Sequence, residues 1–213
     1  ALDIETGDPL SWSPQANDRI YVITVSDSTV YVGGEFTFIG GEKRSRIAAL
    51  DVVTGAVIAS WNPSVRFQGP QARVHTILVE GSKAYVGGWR AIGGGDRHRL
   101  AAVDAETGGI TSWNPSANED VASVVVLGST VYAGGKFTSI GGESRNSLAA
   151  MDATTGVVTP WDPSPNDKVR ALAVSGSTIY VGGDFIVIGG VARGGIAAID
   201  VATGATSSWY APT

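Results

Sequence analysis

Thr130-Val131-Tyr132-Ala133-Gly134-Gly135, followed by Leu148-Ala149-Ala150-Met151-Asp152-Ala153-Thr154-Thr155-Gly156 and then by Trp161, decides the fold. The same order recurs: Tyr31, Tyr85 and Tyr180 open equivalent copies, Thr54-Gly55, Thr107-Gly108 and Thr203-Gly204 mark their middles, and Trp61, Trp113 and Trp209 close them. A partial copy stands in front as Leu2-Asp3-Ile4-Glu5-Thr6-Gly7 with Trp12. The step is about 48 residues, stretched once to 54. Periods of that size belong to propellers and solenoids.

Within the third copy, Val121–Val126 is rich in β-branched residues and ends at a Leu127-Gly128-Ser129-Thr130 turn. A second strand follows over 130–133, then a loop through Ile140-Gly141-Gly142, a third strand over 147–151, and a fourth over 157–161. No segment carries a helical period, so the chain reads as all-β. Four short antiparallel strands per copy make a propeller blade. The predicted layout is a partial blade (third and fourth strands) at 1–18 and full blades at 19–64, 73–116, 121–164 and 169–213. The partial copy duplicates strands that the last blade already has. Two readings therefore stand, a four-bladed ring with the extra piece outside it and an arc of a larger propeller. An open arc would expose apolar faces and favour homo-oligomers or association through blade edges. Ala1 also falls inside a predicted strand, which reads as a processed chain or part of a longer one.

The 213 residues are 43% hydrophobic and 16% charged, below the usual quarter, with 29 glycines. A net charge of −5 without a basic run argues against nucleic acid as a partner. No apolar stretch approaches the ~18 residues needed to insert in a membrane. There is no cysteine, which removes disulfides, Cys-ligated zinc and thiol nucleophiles.

Most repeated residues have structural work open to them. In Asp-x-x-Thr-Gly, the Asp carboxylate can accept bonds from turn amides and the Thr hydroxyl while Gly takes positive φ. A calcium loop would need more oxygen ligands than the one carboxylate each turn provides. The Trp packs between blades or, in the sharper alternative, stacks on sugars. The Gly pairs fit close packing or a bulge better than a phosphate loop. Arg44, Arg97, Arg145 and Arg193 either stitch blades, by bonds to a neighbouring turn Asp or carbonyl, or ring a ligand. Glu119-Asp120 reads as a solvated inter-blade pair.

Ala49-x-Asp51-x-x-Thr54-Gly55 with Trp61, and Ala102-x-Asp104-x-x-Thr107-Gly108 with Trp113, resemble the docking motif of the PQQ-like (quinoprotein-type) propeller repeat. The Gly-Gly-x-Phe…Ile-Gly-Gly element is similar to repeats of secreted bacterial proteins of uncharacterised function. The resemblance covers nearly the whole chain and implies a β-propeller. Quinoprotein dehydrogenases of that family add calcium ligands and a catalytic carboxylate, and none of those positions matches here.

Differences between copies carry the functional expectations. Tyr21, His75, Ala122 and Arg170 are equivalent positions at the starts of the innermost strands. Their mixture fits an asymmetric ligand site or a solvated rim. In the second copy Trp89-Arg90 replaces Glu35-Phe36, Lys136-Phe137 and Asp184-Phe185. With His98 nearby it forms a second candidate patch, since aromatics with Arg are enriched at interfaces. The expected function is a non-catalytic extracellular or cell-surface module for protein or carbohydrate binding or rigid scaffolding, with no cofactor and no metal. The alternatives are a fragment of a propeller enzyme, quinone-dependent or polysaccharide-acting, and a subunit that assembles into rings or filaments.

Overall fold

The computed structural model describes residues 1–63, 72–91 and 98–209, with the side chains of residues 89–91 outside that description. The first repeat holds β1 (Ile20–Ser26), β2 (Thr29–Gly34), β3 (Phe38–Ile39), β4 (Glu42–Lys43) and β5 (Ile47–Asp51). The second holds β6 (Arg73–Glu80), β7 (Lys83–Ala91) and β8 (His98–Asp104). The third holds β9 (Val121–Leu127), β10 (Thr130–Gly135), β11 (Ser139–Ile140), β12 (Glu143–Ser144) and β13 (Leu148–Asp152). The fourth holds β14 (Val169–Ser175), β15 (Thr178–Gly183), β16 (Val187–Ile188), β17 (Val191–Ala192) and β18 (Ile196–Asp200). The main strands form four antiparallel three-stranded sheets, β1-β2-β5, β6-β7-β8, β9-β10-β13 and β14-β15-β18, called blades below.

The expected fourth strand is reduced in every blade to a single bridge: Leu50 to Val57, Val103 to Ile110, Met151 to Val158 and Ile199 to Thr206. Backbone bonds flank each bridge, and in the second blade they run on to Trp113, whose carbonyl accepts the Ala102 N–H. Pro63, Pro115 and Pro163, two residues beyond Trp61, Trp113 and Trp161, have no N–H to extend a ladder. Residues 1–18 hold one equivalent bridge, Leu2 to Pro9.

Local chemistry explains the hairpins. The β9–β10 loop is Gly128-Ser129, with Gly128 at φ 58°, which a two-residue loop of the type II′ kind asks of its first residue. The paired glycines have two separate reasons. A β-carbon on Gly134 would collide with Val169 of the next blade, and one on Gly135 would collide with the Asp120 carbonyl. The register shifts by one residue beside that pair, so the close packing and the bulge expected from sequence are both present. Short hairpins β3-β4, β11-β12 and β16-β17 are held by Asn17, Asn118 and Asn166, whose Oδ1 atoms accept two backbone N–H groups each at 2.9–3.0 Å.

The core lies between blades. Tyr31, Ile47, Ala49 and Trp61 of the first blade pack on Val74, Ile77, Val86 and Val103 of the second. Each further seam repeats this arrangement. The Trp indole of one blade donates to the turn carbonyl of the next: Trp61 to Asp104 (3.2 Å), Trp113 to Asp152 (2.9 Å) and Trp161 to Asp200 (3.0 Å). Trp12 of the N-terminal segment does the same to Asp51 at 3.2 Å. Tyr31, Tyr85, Tyr132 and Tyr180 each meet their own blade's Trp edge-on, with ring centroids 4.9–5.4 Å apart, an arrangement that adds to the area they bury.

Blades pack consecutively. β1 lies beside β6, β6 beside β9 and β9 beside β14, and no comparable packing joins β14 to β1. Exposure follows that order. Ile20 is 36% exposed, whereas its equivalents Val74, Val121 and Val169 are fully buried. The blades form an arc with a leading face on β1 and a trailing face on β14, β15 and β18.

Candidate functional site

The two ends of every blade differ. At the turn end, Asp51, Asp104, Asp152 and Asp200 follow one plan. Oδ1 of each accepts two turn N–H groups and the Thr hydroxyl, the last at 2.7–2.8 Å. These bonds favour the carboxylate and hold all four below the ordinary Asp value of 3.8. The turn reading of the motif therefore accounts for its carboxylate. A cavity of about 460 Å³ opens at this end between the first two blades, lined by Tyr31, Trp61, Asp104 and their neighbours. Tyr31 and Trp61 there are the packing residues of that seam, equivalent to Tyr85 and Trp113 in the next.

The rim end, where the innermost strands begin, is unlike in each copy. Tyr21 on β1 stacks on His75 on β6, ring centroids 5.5 Å apart and planes 19° from parallel. Tyr21 is exposed, while His75 is half-buried with its Nε2 out of solvent and without a hydrogen-bond partner. Burial pushes the His75 pKa down, against the pull of nearby Asp120, so the ring is held neutral. Beside the stack, Glu35 pairs with Arg73 across the seam and lies 4.0 Å from Arg19. Arg19 is raised further by its hydrogen bond to Tyr21.

Across the next blades, Asp120 takes a 3.2 Å ion pair from Lys168. Asp120 is only 3% exposed, so the solvated inter-blade pair expected from sequence is not what this residue makes. The Asp120 side chain faces the seam to the fourth blade, where its Oδ2 accepts the Lys168 ammonium, while its carbonyl accepts the Lys136 N–H as the equivalent carbonyls of Arg19 and Lys168 accept from Glu35 and Asp184. Arg170 reaches instead to its own blade's Asp184, with Nε and Nη2 each 2.7 Å from a carboxylate oxygen. That bidentate pair lowers Asp184 and raises Arg170.

Of the six residues singled out by sequence, the structure brings Tyr21 and His75 into contact and puts Arg170 on the same end of its blade. His98 is apart: it is exposed on β8, the strand of its sheet farthest from β6, and its backbone N–H donates to Ser116. The backbone of Trp89 pairs with Arg73 at the rim. The side chains of Trp89 and Arg90 lie outside the described residues, as do the loops around Arg66 and Arg97.

Among the described residues, the repeated arginines Arg44, Arg145 and Arg193 bond within their own repeats rather than to a neighbouring turn, Arg44 donating to the Lys43 carbonyl. Arg145 donates to the Ser144 and Thr159 carbonyls, and Arg193 to those of Ala192 and Ser207. Sequence reasoning missed Arg19, Arg73 and Lys168 as rim residues. The signal was the single position before Ile20, Val74, Val121 and Val169, occupied by Arg19, Arg73, Asp120 and Lys168. It also missed Asn17, Asn118 and Asn166, each three residues before that strand's first apolar residue. Among the described residues, no three His, Cys, Asp or Glu side chains converge as metal ligands would.

Comparison with known proteins agrees with the fold. Residues 43–211 match the family described as outer membrane protein assembly factor BamB, built of PQQ-like repeats. No curated protein sequence matches the chain. Among solved structures, the computationally designed Ika4 protein is 14% identical, with a TM-score of 0.57 over 89% of this chain and 95% of that one. The designed Ika8 protein is 16% identical with a TM-score of 0.54, over 88% of this chain and 47% of that one. The WD40 β-propeller domain of Doa1 is 12% identical with a TM-score of 0.53, over 90% and 68%. Such identities speak to the fold, a β-propeller.

Proposed function

We propose that the chain, which belongs to the PQQ-like repeat family of outer membrane protein assembly factor BamB, is a non-catalytic extracellular or cell-surface module that binds a protein or carbohydrate at its rim. The observation that carries this reading is the Tyr21–His75 stack, a flat exposed ring braced by a neutral imidazole and flanked by Arg19, Glu35 and Arg73. An exposed aromatic face takes the apolar face of a sugar ring or a peptide side chain, and the surrounding guanidinium and carboxylate groups take its polar edge. The turn end supports the division of labour, because its carboxylates are engaged in their own turns in all four blades.

Arrays of oligosaccharides and peptides, followed by titration of whatever binds, test the reading. Tyr21→Ala should weaken a genuine rim ligand at least fivefold while the melting temperature holds. Binding that ignores Tyr21→Ala, His75→Ala and Arg170→Ala alike would place the ligand elsewhere and sink the proposal.

A further inference from the structure

At the turn end, the three seams fill the space beside Tyr and Trp in three different ways. Between the third and fourth blades, Leu127 and Val201 pack against the core. Between the second and third, Lys83 reaches across the seam and its Nζ donates to the Ala153 carbonyl at 2.5 Å. The Tyr85 hydroxyl lies 3.4 Å from the same oxygen. The charge of Lys83 adds to the turn bonds that hold Asp152 low. Between the first and second blades the equivalent residues are small. Ser26 stands where the third blade has Leu127, Thr29 where the second has Lys83, and Ala105 where the fourth has Val201. All three line the cavity of about 460 Å³.

Two carboxylates outside the repeated turn aspartates also depart from the pattern, and both border this cavity, one from each blade. Asp27 replaces the Gly81, Gly128 and Gly176 of the other hairpin loops and keeps their positive φ, at 50°. Glycine takes that conformation without cost, so the carboxylate is held there against the local preference of the backbone. Glu106 replaces Val53, Thr154 and Ala202. Both side chains are exposed at the mouth, and among the described residues neither takes part in an ion pair. Burial raises the Tyr31 phenol, and Asp27 and Asp104 raise it further against a hydrogen bond to Thr29. Burial raises Tyr85 too, with Glu80 and Asp152 adding to it, but there the ammonium of Lys83 answers the two carboxylates. The Tyr31 hydroxyl donates to the Ala105 carbonyl at 2.8 Å and so takes one of its two lone pairs. The equivalent carbonyl of Ala153 serves both a tyrosine and a cation.

We infer that the cavity between the first two blades binds a primary alkylammonium group, with its nitrogen on the Ala105 carbonyl between Asp27 and Glu106 and its methylene stem along Tyr31 and Trp61. The ligand supplies the cation that Lys83 supplies in the next seam. Aromatic walls suit the stem and the adjacent charge, and carboxylates with a carbonyl suit the three N–H donors. The site goes beyond the rim ligand, since it lies at the opposite end of the blades from Tyr21 and His75.

NMR titration of the 213-residue chain with butylammonium chloride tests this. The amides of Asp27, Ala105 and Glu106 should shift saturably, with a dissociation constant on the order of 1 mM. Butan-1-ol, of similar shape without the charge, should bind at least fivefold more weakly. Thr29→Lys gives the first seam the second seam's own cation, so it should abolish butylammonium binding while the melting temperature holds or rises. Asp27→Gly restores the residue of the other copies and should weaken binding at least threefold. Tyr21→Ala should leave this binding unchanged, which separates it from the rim ligand. A capped lysine amide distinguishes two sources of the group. Binding as tight as butylammonium's assigns it to a lysine of a partner polypeptide, and weaker binding assigns it to a small free amine. No saturable shift up to about 50 mM butylammonium, equal binding of butan-1-ol, or a Thr29→Lys variant that binds like wild type would each overturn the inference. Should Thr29→Lys fail to fold, Asp27→Gly combined with Glu106→Thr still decides, because losing both carboxylates must weaken butylammonium and spare butan-1-ol.

Discussion

The turn end and the rim end of the same sheets follow opposite rules. At the turn end, Asp51, Asp104, Asp152 and Asp200 sit in one geometry, and Trp12, Trp61, Trp113 and Trp161 dock in one way. At the rim, a ring stack, a cross-seam pair and a bidentate pair occupy equivalent places. About 20 Å of strand separates the chemistry that holds the arc together from the chemistry that varies. Repetition marks what packing demands, and divergence is tolerated where packing demands least.

The strongest way to break that contrast is to cut a seam. Trp113 is buried and bonded to Asp152, so Trp113→Ala should cost about 3–5 kcal/mol and lower the melting temperature by many degrees. A rim-sized effect would mean the indole is no clamp. A smaller loss should follow Gly134→Ala, about 1–3 kcal/mol, because the added methyl meets Val169. Gly182→Ala is its internal control, since nothing lies closer than 3.9 Å there, and chemical denaturation should find that variant close to wild type. Equal losses at the two glycines would show that the Val169 contact is not what Gly134 serves, since the lower unfolded-state entropy of Ala would by itself stabilise both variants.

Titration should separate the two ends by pH. The turn carboxylates are lowered, so their stabilisation is present above the ordinary value of 3.8 and is lost as pH falls through their lower folded values. His75 is also lowered, and the sign for a base is that the unfolded chain takes up the proton first. Stability should therefore begin to fall as pH drops below about 6.5, well before the turns respond. Thermal melts across pH should lose this upper limb in His75→Phe and keep the lower one. The smallest effect belongs to Tyr21→Ala, within about 0.5 kcal/mol as for most surface changes, measured by the same melts.

Much of the fold was legible because each signature residue answers to a local need. Gly134 and Gly135 announced close packing, and the Asp-x-x-Thr-Gly spacing announced the turn. The fourth strand of the third blade is present but short, one bridge at Val158 with flanking backbone bonds, and β-branched composition over 157–159 does not set that length. At the rim, the strand alignment placed Tyr21 level with His75, but their stacking depends on the crossing of β1 and β6. Burial of Asp120 escaped the sequence for a similar reason. Its partner Lys168 lies one whole repeat away, and a charged pair in a polar loop has no periodic signature. The distinction between Arg170, paired within its blade, and Arg73, paired across a seam, is likewise a matter of side-chain reach.

The forward direction of the tryptophan connectors has a consequence for how the chain is made. Among the described residues, Trp12, Trp61, Trp113 and Trp161 all dock forward, so during synthesis from the N-terminus each finished blade waits for the following turn to arrive. A nascent chain thus carries one undocked indole at its growing end, passed along as each repeat emerges. Partners in each connector are about forty residues apart, so closing one seam requires little more than one new repeat outside the ribosome. Assembly is a ratchet that advances one blade at a time and keeps the exposed apolar surface of the unfinished chain nearly constant.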